Sequence, residues 1–181
     1  LESEQRITFP IETAIAGDLH DGDSIAVNGV CLTVVGRDAR RFVTEIGPET
    51  ARVTTLGTLA GGALVNLERP MRPDGRMGGH FVLGHVDCKG VLQAVRADGE
   101  FWWITVGFDA GLAPYFITKG SVAVDGISLT VATLRDGDFE VQIIPFTWDH
   151  TNLQRARPGD RVNLEVDVIG KYVVRVAELA G

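Results

Sequence analysis

The chain is written twice. One offset of 97 residues places Ser24 on Ser121, Val27 on Val124, Gly29 on Gly126, Leu32 on Leu129 and Thr33 on Thr130. The same offset carries Phe42 to Phe139, Pro48 to Pro145, Thr50 to Thr147, Thr54 to Thr151 and Leu56 to Leu153. It lays the first VNLE, residues 65–68, on the second, residues 162–165, and Ile7-Thr8 on Ile104-Thr105. No net insertion interrupts this register, and chance similarity does not persist over such a stretch. Two long copies exclude a solenoid, which stacks several short ones. They imply two homologous domains, each with its own core, within 181 residues. The boundary is expected near RPDGRMGG, residues 72–79, a Gly-rich polar stretch with a proline. The second copy opens on GHVDCKGVLQAVRADG, residues 84–99, which reads as a strand and a turn. Its counterpart would fall before residue 1, so the first copy is expected to lack its first strand.

Each copy reads as β structure. SIAVNGVCLTVV and SVAVDGISLTVA are two short strands around an Asn-Gly or Asp-Gly turn, the strongest local hairpin signal. RRFVTEI, DFEVQII, EFWWITVGF and RVNLEVDVI alternate apolar and polar residues. Turn signals recur about every ten residues, as a sandwich or barrel requires. Closure removes exposed strand edges, so each copy is expected to be a small antiparallel barrel of about six strands. Helical patterning is confined to GLAPYFIT and to the tail KYVVRVAELAG, which is expected to form an amphipathic helix.

Composition excludes several classes. The net charge of −7 disfavours nucleic acid, which needs clustered Lys and Arg. No run of 18 apolar residues spans a membrane, and no signal peptide is visible. Two cysteines make no disulfide scaffold; both are expected to be reduced, in a cytoplasmic protein. Dinucleotide and phosphate loops, HExxH and Gly-x-Ser-x-Gly are all missing.

The copies differ at informative places. Cys31 stands where the second copy has Ser128. A free cysteine is commonly a small buried hydrophobe. Exchange with serine, whose hydroxyl needs a partner, fits a site-lining position equally well. Lys119 falls opposite Gly22, and Asp167 opposite Pro70. Such charged asymmetry suits two pockets holding molecules with unequal roles. His80, His85 and Cys88 form H-x4-H-x2-C, which matches no common zinc module. The glycines around them suggest close backbone approach to a surface or ligand. The paired threonines, Thr50/Thr54 and Thr147/Thr151, either cap helical turns or present hydroxyls to a ligand.

Together GDSIAVNGVCLTV, GGHFVLGHVD, KGSVAVDGISLTV, IPFTWDHTNL and VNLEVDVIGKYV resemble the α-type riboflavin synthase family, of lumazine-binding double barrels, in order along nearly the whole chain. The resemblance implies an all-β fold of two tandem six-stranded Greek-key barrels with a short C-terminal helix. It divides the chain into an N-terminal lumazine-binding barrel (1–80), a C-terminal one (81–168) and a trimerisation helix (169–181). It implies dismutation of two 6,7-dimethyl-8-ribityllumazine molecules by four-carbon transfer, giving riboflavin and 5-amino-6-ribitylaminouracil. No cofactor or metal is implied. The implied partners are the lumazine substrate and two further copies in a homotrimer with inter-subunit sites, with room for association with lumazine synthase. Lumazine proteins, which share the fold and bind the chromophore without catalysis, are the alternative.

Residue by residue, the resemblance gives catalytic roles to Cys31, Ser24, His85 and Asp167. Leu32 and Thr33 join Ser24 and Cys31 on one wall of the N-terminal pocket. Glu45, Ile46, Gly47, Pro48, Glu49 and Thr50 form its other wall. Gly84, His85 and Val86, with Lys119, Ser128, Leu129 and Thr130, are expected on the C-terminal pocket. Ile144, Pro145, Phe146, Thr147, Trp148 and Asp149 complete it, Phe146 and Trp148 being bulkier than the family pattern suggests. The family's opening Met-Phe-Thr-Gly, which helps build the N-terminal pocket, has no match here.

Overall fold

The computed structural model describes residues 6–181; residues 1–5, the start of the expected N-terminal barrel, lie outside the described part. In the first half, β1 (Ile7–Glu12), β2 (Ser24–Val27), β3 (Val30–Arg37), β4 (Arg41–Ile46) and β5 (Leu67–Glu68) form one sheet in the order β1-β4-β3-β2-β5. In the second, β6 (Cys88–Asp98), β7 (Phe101–Gly107), β8 (Ser121–Val124), β9 (Ile127–Arg135), β10 (Asp138–Ile143) and β11 (Arg161–Val166) close a barrel, β10-β7-β6-β11-β8-β9. Neighbouring strands are antiparallel throughout.

The offset of 97 carries β1 to β5 onto β7 to β11 and leaves β6 unmatched. In the barrel β6 joins β7 to β11. Among the described residues nothing joins β1 to β5, and the first sheet stays open at that seam. The all-β expectation therefore holds, with closure in the second half and five strands in the first.

Alternation fills both interiors. Ile25, Val27, Val34, Phe42 and Leu56 are buried in the first core; Val122, Val124, Val131, Phe139 and Leu153 match them in the second. Phe139 packs among Phe108 and Phe116, with ring centroids 6.0 and 5.2 Å away. After the fourth strand of each repeat a proline opens a short helix, α1 (Pro48–Val53) and α2 (Pro145–His150). Proline suits a first helical turn, where its missing N–H has no intrahelical acceptor. Thr54 and Thr151 then cap 3-10 turns through their hydroxyls, accepting from Leu56 N and Leu153 N. The tail is α3 (Val168–Ala180), capped by Asp167 and lying against the 3-10 turn Ala110–Tyr115.

The halves meet at their hairpin tips. Asn28-Gly29 and Asp125-Gly126 all have positive φ, as a two-residue hairpin turn demands. The turns lie back to back so tightly that a Cβ on Gly29 would sit 2.5 Å from Gly126 N, and one on Gly126 2.8 Å from Gly29 N. Reciprocal hydrogen bonds surround the contact. Asn163 Nδ2 donates to Asn28 O at 2.8 Å, and Asn66 Nδ2 to Asp125 O at 2.9 Å. Asn163 Oδ1 accepts from Thr55 N at 2.7 Å, and Asn66 Oδ1 from Asn152 N at 2.8 Å. Asn28 Oδ1 accepts from Asn66 N, as Asp125 Oδ1 does from Asn163 N, both at 2.8 Å. The two asparagines of the repeated VNLE therefore each serve the opposite half.

One member of this network is ionisable. Burial pushes the Asp125 carboxyl up to about 6, against bonds from Asn163 N and Asn152 Nδ2 that pull it down. A folded-state value above the ordinary 3.8 favours the protonated native form. The associated stability is full below about pH 4 and is lost as pH rises through about 6, by on the order of 3 kcal/mol. Asp125→Asn, which copies Asn28, removes this titration. Urea unfolding from pH 4 to 7 should show the parent losing stability relative to the variant as pH rises. A difference independent of pH would refute the assignment.

Candidate functional site

Strand alternation sorts the expected site residues. In the β2–β3 hairpin Ile25, Leu32 and Val34 enter the core, which turns Ser24, Cys31 and Thr33 outward. The β8–β9 hairpin repeats this, with Ser128 and Thr130 exposed and Leu129 packed on its core. The candidate residues therefore stand on the outer walls, where Leu32 and Leu129 offer only their backbones. Ile46 is likewise buried inside.

A strap formed by residues 76–87 crosses between these walls. Gly84 O accepts from Cys31 N at 2.9 Å, and a Cβ on Gly84 would meet Cys31 N at 2.7 Å. Only glycine fits there, and its φ of +79° also selects glycine. Leu83 N, Gly84 N and His85 N all donate to the buried Glu165 carboxylate, at 2.8, 3.0 and 3.1 Å. Successive amides around a left-handed residue form a natural anion nest; here a side chain of the C-terminal barrel fills it. Val86 packs on the N-terminal core. Residues 84–86, expected on the C-terminal pocket, thus have Gly84 and Val86 against the N-terminal half, because Gly84 bonds to Cys31 and Val86 completes that core. Asp87 ties the strap's end to β11 and α3, accepting from Val166 N at 2.9 Å and pairing with Lys171 at 2.7 Å.

Under the strap lies a cavity of about 580 Å³ lined by Ser24, Cys31, Arg76, Met77, His80 and Ser128 among others. It unites residues expected in two separate pockets. His80 Nδ1 lies 2.7 Å from Ser128 Oγ. Burial lowers the His80 pKa from its ordinary value, while Asp167 and Glu165 act electrostatically in the opposite sense. Sequence reasoning singled out His80 only for a metal pattern and gave Glu165 no role. The signal for His80 was its glycine flank; Glu165 was hidden because the repeat writes the same residue at Glu68. Among the described residues no three His, Cys, Asp or Glu side chains converge, so His80, His85 and Cys88 do not come together as ligands.

The other candidates line open surface. Glu45 pairs with Arg6 at 3.0 Å and Glu49 with Arg52 at 2.6 Å; exposed pairs of this kind stabilise little. Gly47 and Pro48 are exposed at the start of α1, and the Thr50 carbonyl accepts from the Thr54 hydroxyl. Across the repeat Thr147 O accepts from Thr151 Oγ in the same way. The two bulky residues part company. Trp148 stacks on Trp102 with centroids 4.5 Å apart and planes 2° off parallel, which commits its ring to the barrel wall. Phe146 stacks on His150 and stays 66% exposed, beside the exposed Ile144 and Asp149 and the partly exposed Pro145. Among the described residues His85 keeps only its backbone bond to Glu165, and Asp167 caps α3 through Ile169 N at 2.9 Å.

Comparison with known proteins gives a consistent result. The lumazine binding domain family matches residues 2–70 and 83–167. Riboflavin synthase of Mycobacterium tuberculosis H37Rv is 48% identical, over 97% of this chain and 88% of the relative. That of Actinobacillus pleuropneumoniae is 44% identical over 89% of this chain and 75% of the relative. The Schizosaccharomyces pombe riboflavin synthase is 43% identical over 91% and 79%. Among solved structures, LumP complexed with riboflavin superposes with a TM-score of 0.82 at 20% identity, covering 92% of this chain and 91% of that one. At that identity the likeness concerns the fold.

Lys119 adopts a left-handed backbone. Its φ is +68°, at the place where the first copy has Gly22 with φ +92°. A left-handed lysine costs about 1–2 kcal/mol, partly offset because glycine is freer when unfolded. Lys119→Gly should therefore raise stability by roughly 0.5–1 kcal/mol. An unchanged or lower urea midpoint for the variant would contradict this.

Proposed function

We propose a reaction for this chain from one premise: it belongs to the riboflavin synthase family, built on lumazine binding domains. The chain is a riboflavin synthase. It takes two molecules of 6,7-dimethyl-8-ribityllumazine and moves a four-carbon unit from one to the other, forming riboflavin and 5-amino-6-ribitylaminouracil. One observation carries the reading to the site: a single architecture presents two outward walls of matched position and unequal chemistry. Ser24, Cys31 and Thr33 stand on one, Ser121, Ser128 and Thr130 on the other. Two copies of one substrate playing different parts require such a pair.

On these walls the two lumazines stack across the site. One loses a proton from its C7 methyl group; the other is attacked at C7 by a nucleophile, and the two then join. Holding both rings in register supplies much of the rate, since positioning replaces a bimolecular encounter. Cys31 and Ser24 share the cavity under the strap and position the nucleophile, a water or hydroxide. His85, held by its backbone to Glu165, moves the proton, a role suited to an imidazole. Asp167 and Thr130 hydrogen-bond the second lumazine, and Lys119 adds a positive charge beside it.

Each wall is open to solvent in one chain, and a second wall must cover it to exclude water. We place that wall on another copy, in a homotrimer. The support is α3, which leaves Tyr172, Val173, Val176 and Leu179 each more than 60% exposed. A helix face this apolar is usually covered. Free Cys31 and Cys88 suit a reducing cytoplasm.

Two measurements test these statements. Incubation with the lumazine alone should produce riboflavin absorbance, and Cys31→Ala should cut the rate at least tenfold, on the order of a lost catalytic group, with circular dichroism unchanged. Tight lumazine binding without product would establish a non-catalytic binder instead. Light scattering should give a trimer for the parent and a monomer once residues 168–181 are removed. A trimer persisting without α3 would place the interface elsewhere.

A further inference from the structure

We infer that His80 is a positioning residue that donates Nδ1–H to Ser128 Oγ, leaving the Ser128 proton free for an acceptor atom of the bound lumazine. The inference rests on the riboflavin synthase reading for the identity of that ligand, but its geometry stands alone. His80 Nδ1 and Ser128 Oγ are 2.7 Å apart, and both residues line the cavity under the strap. The other ring nitrogen, Nε2, is buried and has no hydrogen-bond partner among the described residues.

That unpartnered nitrogen selects the tautomer. Burial favours the uncharged ring, so a single proton is shared between two sites. If Nδ1 accepted the Ser128 proton, Nε2 would carry a buried N–H with nothing to receive it. An orphaned buried N–H is rarer and costlier than an unused lone pair. With the proton on Nδ1, one Ser128 lone pair is occupied and its hydroxyl hydrogen has no acceptor among the described residues. Ser128 then faces the ligand as a donor, toward a carbonyl oxygen or ring nitrogen.

The strap makes this contact specific to one half. Gly79 passes so close over Ser128 that a Cβ there would collide with Oγ, as one on Gly84 would collide with Cys31. Two glycines thus bring the backbone onto the one position where the copies exchange cysteine for serine. Between them, only toward Ser128, the strap sends a histidine. Glu165 holds the far end through three amide bonds, which fixes the reach of His80.

Long-range proton–nitrogen NMR on the labelled full chain reads the tautomer directly. A neutral His80 protonated at Nδ1, released to a mixture of tautomers by Ser128→Ala, is expected; an Nε2-protonated ring overturns the inference. In turnover, His80→Ala should raise KM roughly tenfold, the value of one hydrogen bond, with a smaller change in kcat. His80→Asn, whose amide N–H falls near Nδ1, should recover to within about threefold, because it restores that bond. His80→Ala should add nothing in a Ser128→Ala background; additive losses would show that His80 acts structurally, and normal KM in His80→Ala would overturn the role. A parent without lumazine turnover or binding would defeat the riboflavin synthase reading, while the NMR result would still decide His80.

Discussion

The two halves are held in register with one another at the contact between Gly29 and Gly126. Two hairpin tips meet there with no room for a side chain on either, and the approach brings Asn66 and Asn163 within reach of the opposite turns. Their amides satisfy backbone groups that would otherwise be buried without partners, which is what makes so close an approach affordable in free energy. The outward walls carrying Ser24, Cys31, Ser128 and Thr130 are continuations of these same hairpins. Their relative placement is therefore as fixed as the junction itself.

The junction is nearly symmetric; the strap is not. Glu68 and Glu165 occupy matching places, yet only Glu165 is buried under three strap amides. The strap lays Gly84 on the wall of the first hairpin and His80 on that of the second. Duplication produced two surfaces of matched position, and the strap adds to the differences between them. A reaction between two identical molecules needs this: symmetric binding for recognition, asymmetric groups for the division into donor and acceptor.

Asymmetry also appears in the short helices. Glu49 and Arg52 form an exposed pair on α1, while α2 carries the Phe146–His150 stack. The Trp148 ring lies against Trp102 on the barrel. Of the two bulky residues, one is thus committed to the barrel and the other, Phe146, projects from the surface.

The sequence by itself determined the repeat, its register, the hairpins around Asn28-Gly29 and Asp125-Gly126 and the α3 helix. Period-two alternation and glycine turns are local, and local rules suffice to read them. Only the tertiary structure decided that the turns pack back to back, that Asn66 and Asn163 exchange partners across the halves, and that Gly84 and Val86 lie against the first half while Gly84 N and His85 N bond to Glu165 of the second. The same holds for His80 and Glu165. Hydrogen bonds between groups 48 to 135 residues apart leave no periodic trace in the sequence, and an identical VNLE in both copies cannot say which glutamate will be buried. That choice depends on what the chain between the repeats brings to each one, and the fold alone supplies it.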